Sequence, residues 1–554
     1  MIRKIAVSVS CILSAAVSYA QVNKQVEVTK AYVPEVSEAM KLPVAPDMAD
    51  TVKMRPEIDC SITPLMYPTD LATHRFRPAT VTYWEFNRPT SFYLKLGAGY
   101  PVNTVGDFYA SVHDARVGYI AGYANHRGQF GDMKNYFGKW RDALQARTRV
   151  GVAGGVYWGK HMFEGDVNYY SSIHNRYAGT DDGPDPKSDF ENVSLKLRLG
   201  DDFVDLSRVN FDVGVHSNYF NDKSDWQASD LNLQQADFGV DARVARSFDR
   251  HYAELSAGYD GYLGIKDLKA YSDHIIRVGA RYGYTSNLLK IAVGADYYHD
   301  RISTRAKKSN YVIPYAKLSL NISRSDAIVP FVELNGQLRN NSYRALTESN
   351  PYVGFFDREL SLPNTVQYKV SFGISGRLAQ ERLAYRFYAD MSFYENSIYW
   401  YNYDIIWLRA TAARQNIMSL NLELDYKPVN QFAMSLGVHG YLYTDFADVC
   451  NGKAPVDGFL KLRYMHRKFS VGVSAAVRGE AAWTSFVHIG NDKLLKDKLT
   501  VPFYADLGVE AEWYATEKLS VFLEGSNLAN MNMYRWAFYR EQGIRFTAGV
   551  KFSF

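Results

Sequence analysis

From residue 91 onward the chain alternates apolar and polar residues one by one, in stretch after stretch. In "SFYLKLGAGY" the apolar set is Phe92, Leu94, Leu96, Ala98 and Tyr100. "DHIIRVGARYGY" gives Ile276, Val278, Ala280, Tyr282 and Tyr284, with Arg277 and Arg281 between them. "VQYKVSFGIS" gives Val366, Tyr368, Val370, Phe372 and Ile374. "MSLNLELDY" sets Met418, Leu420, Leu422, Leu424 and Tyr426 against Glu423 and Asp425. "PFYADLGVEAEW" sets Phe503, Ala505, Leu507, Val509, Ala511 and Trp513 against Asp506, Glu510 and Glu512. The closing "QGIRFTAGVKFSF" sets Ile544, Phe546, Ala548, Val550, Phe552 and Phe554 against Arg545 and Lys551. Period two is the mark of a strand whose two faces meet different surroundings.

A soluble sandwich also alternates, so two details carry the distinction. The polar face mixes glycine, serine and charge, as a wet lumen does, and aromatics recur at strand ends, as an interfacial girdle does. Arg277, Arg281, Glu423, Asp425, Asp506, Glu510, Glu512, Arg545 and Lys551 are therefore expected to face a lumen, and the set ending at Phe554 to face lipid.

The connections alternate as well. Short ones fall at His113 to Arg116, Gly159-Lys160, Ser247 to Tyr252, Thr285 to Asn287, Ser323 to Asp326, Ala379 to Arg382, Lys427 to Gln431, His466 to Lys468 and Ala515 to Lys518. Between them lie long polar segments such as "NHRGQFGDMKNYFGKW", "DRISTRAKKSN" and "TDFADVCNGKAPVD". Short turns at one end and long loops at the other belong to outer-membrane barrels. The expected fold is all-β, a transmembrane antiparallel β-barrel of about 22 strands over residues 91–554, close to 21 residues per strand and connection. A closed barrel must pair its last strand with its first. That explains why a fully patterned strand ends the chain on an aromatic, which resembles the signal read by the outer-membrane insertion machinery.

The N-terminus agrees with export. "MIRKIAVSVSCILSAAVSYAQ" has two cations, an apolar core of about a dozen residues and a small-residue close, so residues 1–20 read as a cleaved signal peptide. That core is too short for a membrane anchor, and Cys11 sits too early within it for lipid attachment. Cleavage removes Arg3 and Lys4 and lowers the net charge from +4 to +2, which gives no footing for nucleic acid. A mean hydropathy of −0.28 would suit a soluble protein equally well, but 42 Tyr, 30 Phe and 9 Trp are the amphipathic and apolar rings that membrane interfaces select.

Residues 21–90 form a short irregular segment punctuated by proline, with one helix expected at "PEVSEAMKL" after Pro34. A barrel this wide leaves a large hole, and this segment is one possible lumen filler. Two cysteines remain after cleavage, Cys60 and Cys450. They meet only if the segment climbs to the outer rim; the simpler reading is two free thiols.

The second half resembles a known family. "NPYVGFFDRELSLPNTVQYKVSFGISG", "LAYRFYADMSFYENSI", "RQNIMSLNLELDYKPVNQFAMSLGVHGYLYTD" and the closing "LSVFLEGSNLANMNMYRWAFYREQGIRFTAGVKFSF" are similar, in order and spacing, to the barrel of TonB-dependent receptors and their plug-less relatives. The resemblance covers residues 349 to 554 well and the earlier barrel by pattern. It implies 22 strands, active import and energy from a Ton complex. The chain departs from it before the barrel: residues 21–90 lack the Gly-rich strands of a plug, and "KQVEVTK" is a poor candidate for a TonB contact.

Chemistry is sparse. The 12 histidines have no ligand spacing, and no nucleophile or phosphate motif occurs, so no enzyme, metal or cofactor is expected. His439 and His488 read as hydrogen-bonding side chains rather than catalytic ones. "RISTRAKK" (Arg301, Arg305, Lys307, Lys308) reads as a solvated tip or a site for lipopolysaccharide phosphates. "SIYWYNYDIIW" offers Tyr399, Trp400, Tyr401, Tyr403 and Trp407 as a surface-loop binding patch, or as strands protruding beyond the membrane. The functional expectation is a receptor-like barrel for an unidentified ligand; the alternative is an accessory barrel in an envelope complex. Expected partners are outer-membrane lipids, lipopolysaccharide, the insertion machinery, and a Ton complex or a partner lipoprotein.

Overall fold

The computed structural model describes residues 91–554, apart from short segments at 115, 181–183, 204, 226–230, 303–306, 323–325, 355–361, 448 and 490–492. The signal sequence, residues 21–90 with the helix expected there, and Cys60 lie outside the described residues.

Antiparallel strands form one continuous sheet of 24 strands. The hairpin of Ala481–Ile489 and Lys493–Val501 stands outside the wall, because Phe469–Arg478 pairs directly with Tyr504–Tyr514. The wall proper therefore has 22 strands. It closes where expected: Arg545–Ser553 lies between Leu519–Ser526 and the first strand, Phe92–Tyr100. At that seam the backbone N–H of Phe554 donates to Phe92 O, and that of Phe92 to Phe554 O, each at 3.1 Å. The two rings stack at 5.2 Å. The terminal aromatic thus completes the closing ladder.

The reason these segments are strands is the reason they close. In lipid every backbone group must find a partner, and only a cyclic ladder provides one for both edges. The apolar residues of each strand share the exposed face; Phe546 and Val550 are 41% and 43% exposed, while Arg545, next to Phe546 on the same strand, is buried.

Connections at one end are short, as at 159–160, 249–250 and 467–468. The other end carries the long ones, but the connections there at 101–102, 267–271, 303–306 and 405–406 are short, and those at 202–209 and 321–328 of the first end are longer than these. "DRISTRAKKSN" is also mostly strand, since the wall runs to Ile302 and resumes at Lys307. Leu383–Asp404 and Trp407–Val429 have 22 and 23 residues, about twice what a bilayer needs, so they stand well clear of the membrane.

One junction departs from the regular wall. Lys307–Leu320 and Val329–Arg339 pair over only four positions, Ala316–Ser319 with Phe331–Leu334. Beyond these, towards the loop end, the two sides overlap face to face. Ile275, Tyr298 and Ile313, on the polar side of their strands, form a buried cluster with Val366, against which Leu338 and Tyr368 pack from the apolar side of theirs. A Cβ at Gly336 would lie 2.7 Å from Ile313 Cγ2. Val366 and Tyr368, members of an alternating apolar set, are here covered by protein. The doubled apolar pairs Ile275-Ile276 and Val312-Ile313 are the trace of this overlap in the sequence.

Candidate functional site

At the loop end the connections turn inward and pack on one another. A helix, α1 (Tyr343–Ser349), starts at Ser342, whose hydroxyl accepts from the Ala345 N–H at 3.3 Å. It docks on the polar face of the wall: the Tyr343 hydroxyl donates to Asp222 Oδ2 at 2.6 Å, and Arg344 pairs with Asp237. Tyr539 is the hub. Its ring stacks on Tyr352 at 3.5 Å and meets Tyr177 edge-on at 5.2 Å. Its hydroxyl donates to Ile406 O at 2.6 Å, and that of Tyr177 donates to Arg540 O at 2.9 Å. Four connections that are remote in sequence thus meet in one apolar core. Arg176 lies within it, its guanidinium 3.7 Å from the centre of the Trp407 ring and donating to Val353 O at 3.2 Å. Burial pulls its pKa down, and the surrounding tyrosines and Asp222 oppose that pull.

The loop 446–455 ties this cap to the tall strands. Lys453 hydrogen-bonds Gln415 Oε1 and lies over the rings of Tyr399 and Tyr443 at 5.1 and 5.6 Å. Burial pushes its ammonium down to about 8, against the pull of the Asp445 carboxylate.

On the polar face of the wall lies a cavity of about 820 Å³. Ion pairs lace it from strand to strand. Arg198 bonds Asp212 at 2.8 Å and Glu164 at 3.2 Å, and Arg243 reaches Asp212 at 3.4 Å. Arg277 bonds Asp241 at 2.6 Å, and Arg281 lies 3.6 Å from Glu254 and 3.3 Å from Asp296. Lys196 also lines it and has no ion pair among the described residues. Cations and acids are matched, so the cavity offers many polar groups without a net charge of either sign. Such a lining suits a hydrated polar solute and gives no seat for a metal; no group of metal-ligating side chains occurs among the described residues.

The register places the nine charged residues singled out in the sequence on this same polar face. Besides Arg277 and Arg281, Glu423 accepts from the Tyr388 hydroxyl at 3.0 Å and Asp425 from the Ser435 hydroxyl at 2.5 Å. Asp506 accepts the Asn527 N–H at 2.7 Å. Glu512 pairs with Lys551 at 2.5 Å, and Glu510 stands between Gly472 and Glu524. Arg545 Nε donates to Ser526 Oγ at 3.0 Å.

The aromatic patch needs correction. Tyr399, Trp400 and Trp407 are buried, so they do not form an open surface. The Tyr399 hydroxyl donates to Asp445 at 3.1 Å, Trp400 packs on Trp536 at 6.0 Å, and Trp407 carries Arg176. Tyr401 packs on Phe486 at 5.3 Å; the side chains of Tyr403 and His488 lie outside the described residues. Tyr399, Trp400 and Trp407 lie on the tall strands Leu383–Asp404 and Trp407–Val429, and they pack the cap. Tyr177, Tyr352 and Tyr539 were missed as its centre; the signal available was an aromatic within "NRYAGT", "NPYVGFF" and "WAFYRE", stretches that lie outside the alternating strands. His439 bonds Asn421 at 2.9 Å, an ordinary structural role, and Cys450 has no disulfide partner among the described residues.

No family model matches the chain by sequence, and no curated protein does. Solved structures do. The FrpB iron transporter from Neisseria meningitidis superposes with a TM-score of 0.65 at 11% identity, over 85% of this chain and 82% of that one. The copper transporter OprC gives 0.64 at 15%, over 84% and 81%. FpvA of P. aeruginosa, bound to heterologous pyoverdines, gives 0.63 at 12%, over 84% and 72%. At such identities the likeness concerns the fold, and the fold of this chain is the 22-stranded barrel of the TonB-dependent receptors that its sequence resembles.

Proposed function

We propose that the chain is a receptor-like barrel of a Gram-negative outer membrane that binds or takes up a polar ligand at the cell surface. The observation that carries this reading is the barrel fold shared with the copper transporter OprC and the FrpB iron transporter, and no described feature calls for catalysis. The loop-bearing end is the outer one, the polar face is the lumen, and the nine charged residues line the route. Ton coupling belongs to this proposal through the resemblance.

A second reading is an accessory barrel docked to a partner protein in an envelope complex. The burial of Tyr399, Trp400 and Trp407 favours it, because the outer mouth spends its aromatics on closing itself. One comparison separates the two. Uptake of solutes that do not cross the outer membrane unaided is measured in a deletion strain and in the complemented strain, with purification of the full chain from the same membranes. Restored uptake of one solute class supports the receptor. Equal uptake together with a stoichiometric partner overturns it in favour of the accessory barrel.

A further inference from the structure

The short junction between Lys307–Leu320 and Val329–Arg339 is written into the sequence. Successive backbone N–H groups of a strand point alternately to its two neighbours. Asn321, next after Leu320, donates its N–H to Leu288 O on the preceding side. Even-numbered residues of Lys307–Leu320 therefore address Val329–Arg339, where Ala316 and Leu318 stand opposite Leu334 and Val332. The next even positions in that register are Pro314, opposite Gly336, and Leu320, opposite Pro330. Proline has no N–H to donate, so the ladder stops at both ends of its four pairs. Proline within a sheet belongs to an edge strand; here two prolines make an edge inside a closed wall.

From Pro314 towards the loop end the two sides overlap, and the surfaces in contact are apolar: Ile275, Tyr298 and Ile313 on one, Leu338, Val366 and Tyr368 on the other. The overlap lies between two different surroundings. Beside Ile313 and Ile275, on the outward face, Val312 and Ile276 are 60% and 45% exposed. On the inward face Tyr298 stands opposite Arg277, and the Arg281 guanidinium lies 4.5 Å from the centre of the Tyr315 ring. Both arginines line the charged cavity. An apolar path thus joins the lipid-facing surface to the lumen. A polar latch crosses it: the Asn364 amide donates to Asp273 and, at 3.0 Å, to Asp300 Oδ1 on the opposite side. Asn364 is held on its own side by Asn341, whose N–H donates to its Oδ1 at 3.2 Å, and by Asn396, whose Nδ2 donates to its backbone O at 3.0 Å. Apart from this latch the faces meet by burial, which has no direction. An acyl chain entering between them keeps that surface out of water; an aqueous solute does not.

We propose that this junction is a lateral door through which the acyl chain of an amphiphile passes between the outer leaflet and the lumen, with its polar head in the charged cavity. The inference rests on the receptor reading, which makes the lumen a ligand's route and the loop-bearing end the outer one. The test reads the door alone, so its failure leaves that reading standing.

The full chain, isolated from outer membranes with Cys60→Ser and Cys450→Ser, is placed in phosphatidylethanolamine–phosphatidylglycerol vesicles. Single cysteines then meet a maleimide carried on an acyl chain in the bilayer, or a small water-soluble maleimide. Val366→Cys lies within the overlap, Arg277→Cys beyond it on the lumen side, and Phe522→Cys on the polar face beside the seam. The lipid-borne reagent should label the first two and spare the third. Adding Asn364→Ala should raise both rates about tenfold, the order by which losing hydrogen bonds to charged carboxylates shifts an open–closed ratio. Heat-modifiable migration on gels confirms that each variant is folded; if Asn364→Ala is not, the comparison of Val366→Cys with Phe522→Cys still decides. No reaction at Val366→Cys overturns the door, and so does equal reaction at Phe522→Cys, which would mean that the whole wall breathes. Labelling of Val366→Cys without Arg277→Cys overturns passage in favour of a blind crevice. Faster labelling of Val366→Cys by the water-soluble reagent overturns the acyl chain in favour of a wet slit. Rates unchanged by Asn364→Ala overturn the latch.

Discussion

Where the last strand meets the first, eight residue pairs run unbroken from Tyr93–Ser553 to Tyr100–Phe546. Where Lys307–Leu320 meets Val329–Arg339, four pairs hold and the rest of the junction is an overlap of apolar faces. Both junctions solve the same difficulty, since an open strand edge cannot face lipid. The seam solves it with hydrogen bonds, whose loss exposes backbone. The overlap solves it by burial, so the edges are hidden inside protein rather than joined. The first solution resists graded loosening; the second can slide.

The largest expected effect lies in the cap above both. Tyr539→Ala removes a ring that three connections share. Truncating a buried aromatic costs about 3–5 kcal/mol, more than a set of inward-folded loops is expected to tolerate, while neither junction touches this residue. The barrel should still show heat-modifiable migration, and single-channel conductance in planar bilayers should rise. Unchanged conductance would mean that the cap does not close the mouth.

At the seam, Val550→Arg places a charge on the lipid face, at a cost of about 2–4 kcal/mol near mid-membrane. Lys551→Val breaks the pair with Glu512 and the contact over the Phe522 ring, both on the polar face. Folding yield into vesicles should fall far more for the first than for the second. Equal yields would reject the register of the closing strand.

The contrast between junctions also separates what the sequence made legible from what it did not. The seam was legible because its strand obeys the alternation to the last residue: Arg545 and Lys551 declare one face, Phe546 and Val550 the other. The overlap was not, because "DHIIRVGARYGY" satisfies the alternation while Ile275 adds an apolar residue on the wrong face, and one such residue reads as noise. That the charged residues share the polar face follows from parity alone, a local property. The cap does not, since Tyr177, Tyr352 and Tyr539 are brought together by the closure of the whole barrel, and no spacing along the chain encodes that. The same blindness made Tyr399, Trp400 and Trp407 look like a surface.

A smaller effect tests the overlap. Ile313→Val deletes one methylene from its buried cluster, worth about 0.5–1.5 kcal/mol. Hydrogen exchange should speed up at 335–339 and 366–368 and stay unchanged at 546–552. A uniform increase would show that the two junctions open as one unit, and the contrast between them would fail.

A further effect concerns pH, and it separates the loop latch from both junctions. Lys453, with its pKa lowered from 10.5 to about 8 by burial, holds fewer protons when loop 446–455 is closed than when it is open. Stability rises with pH wherever the open state binds more protons. Closure should therefore strengthen as pH climbs from about 8 towards 10.5, and should change little below that window, where the ammonium is charged in both states. The Cys450 thiol, in the same loop, reports opening; its backbone N–H donates to Thr484 Oγ1 at 2.7 Å when the loop is shut. With Cys60→Ser as background, the labelling rate of Cys450 is compared with that of a Lys453→Met variant at each pH, so that the reactivity of the thiolate cancels. The ratio of the first rate to the second should fall between pH 7.5 and 9.5. A flat ratio would show that Lys453 keeps its proton in the closed loop, held there by Asp445, and that the latch is indifferent to pH.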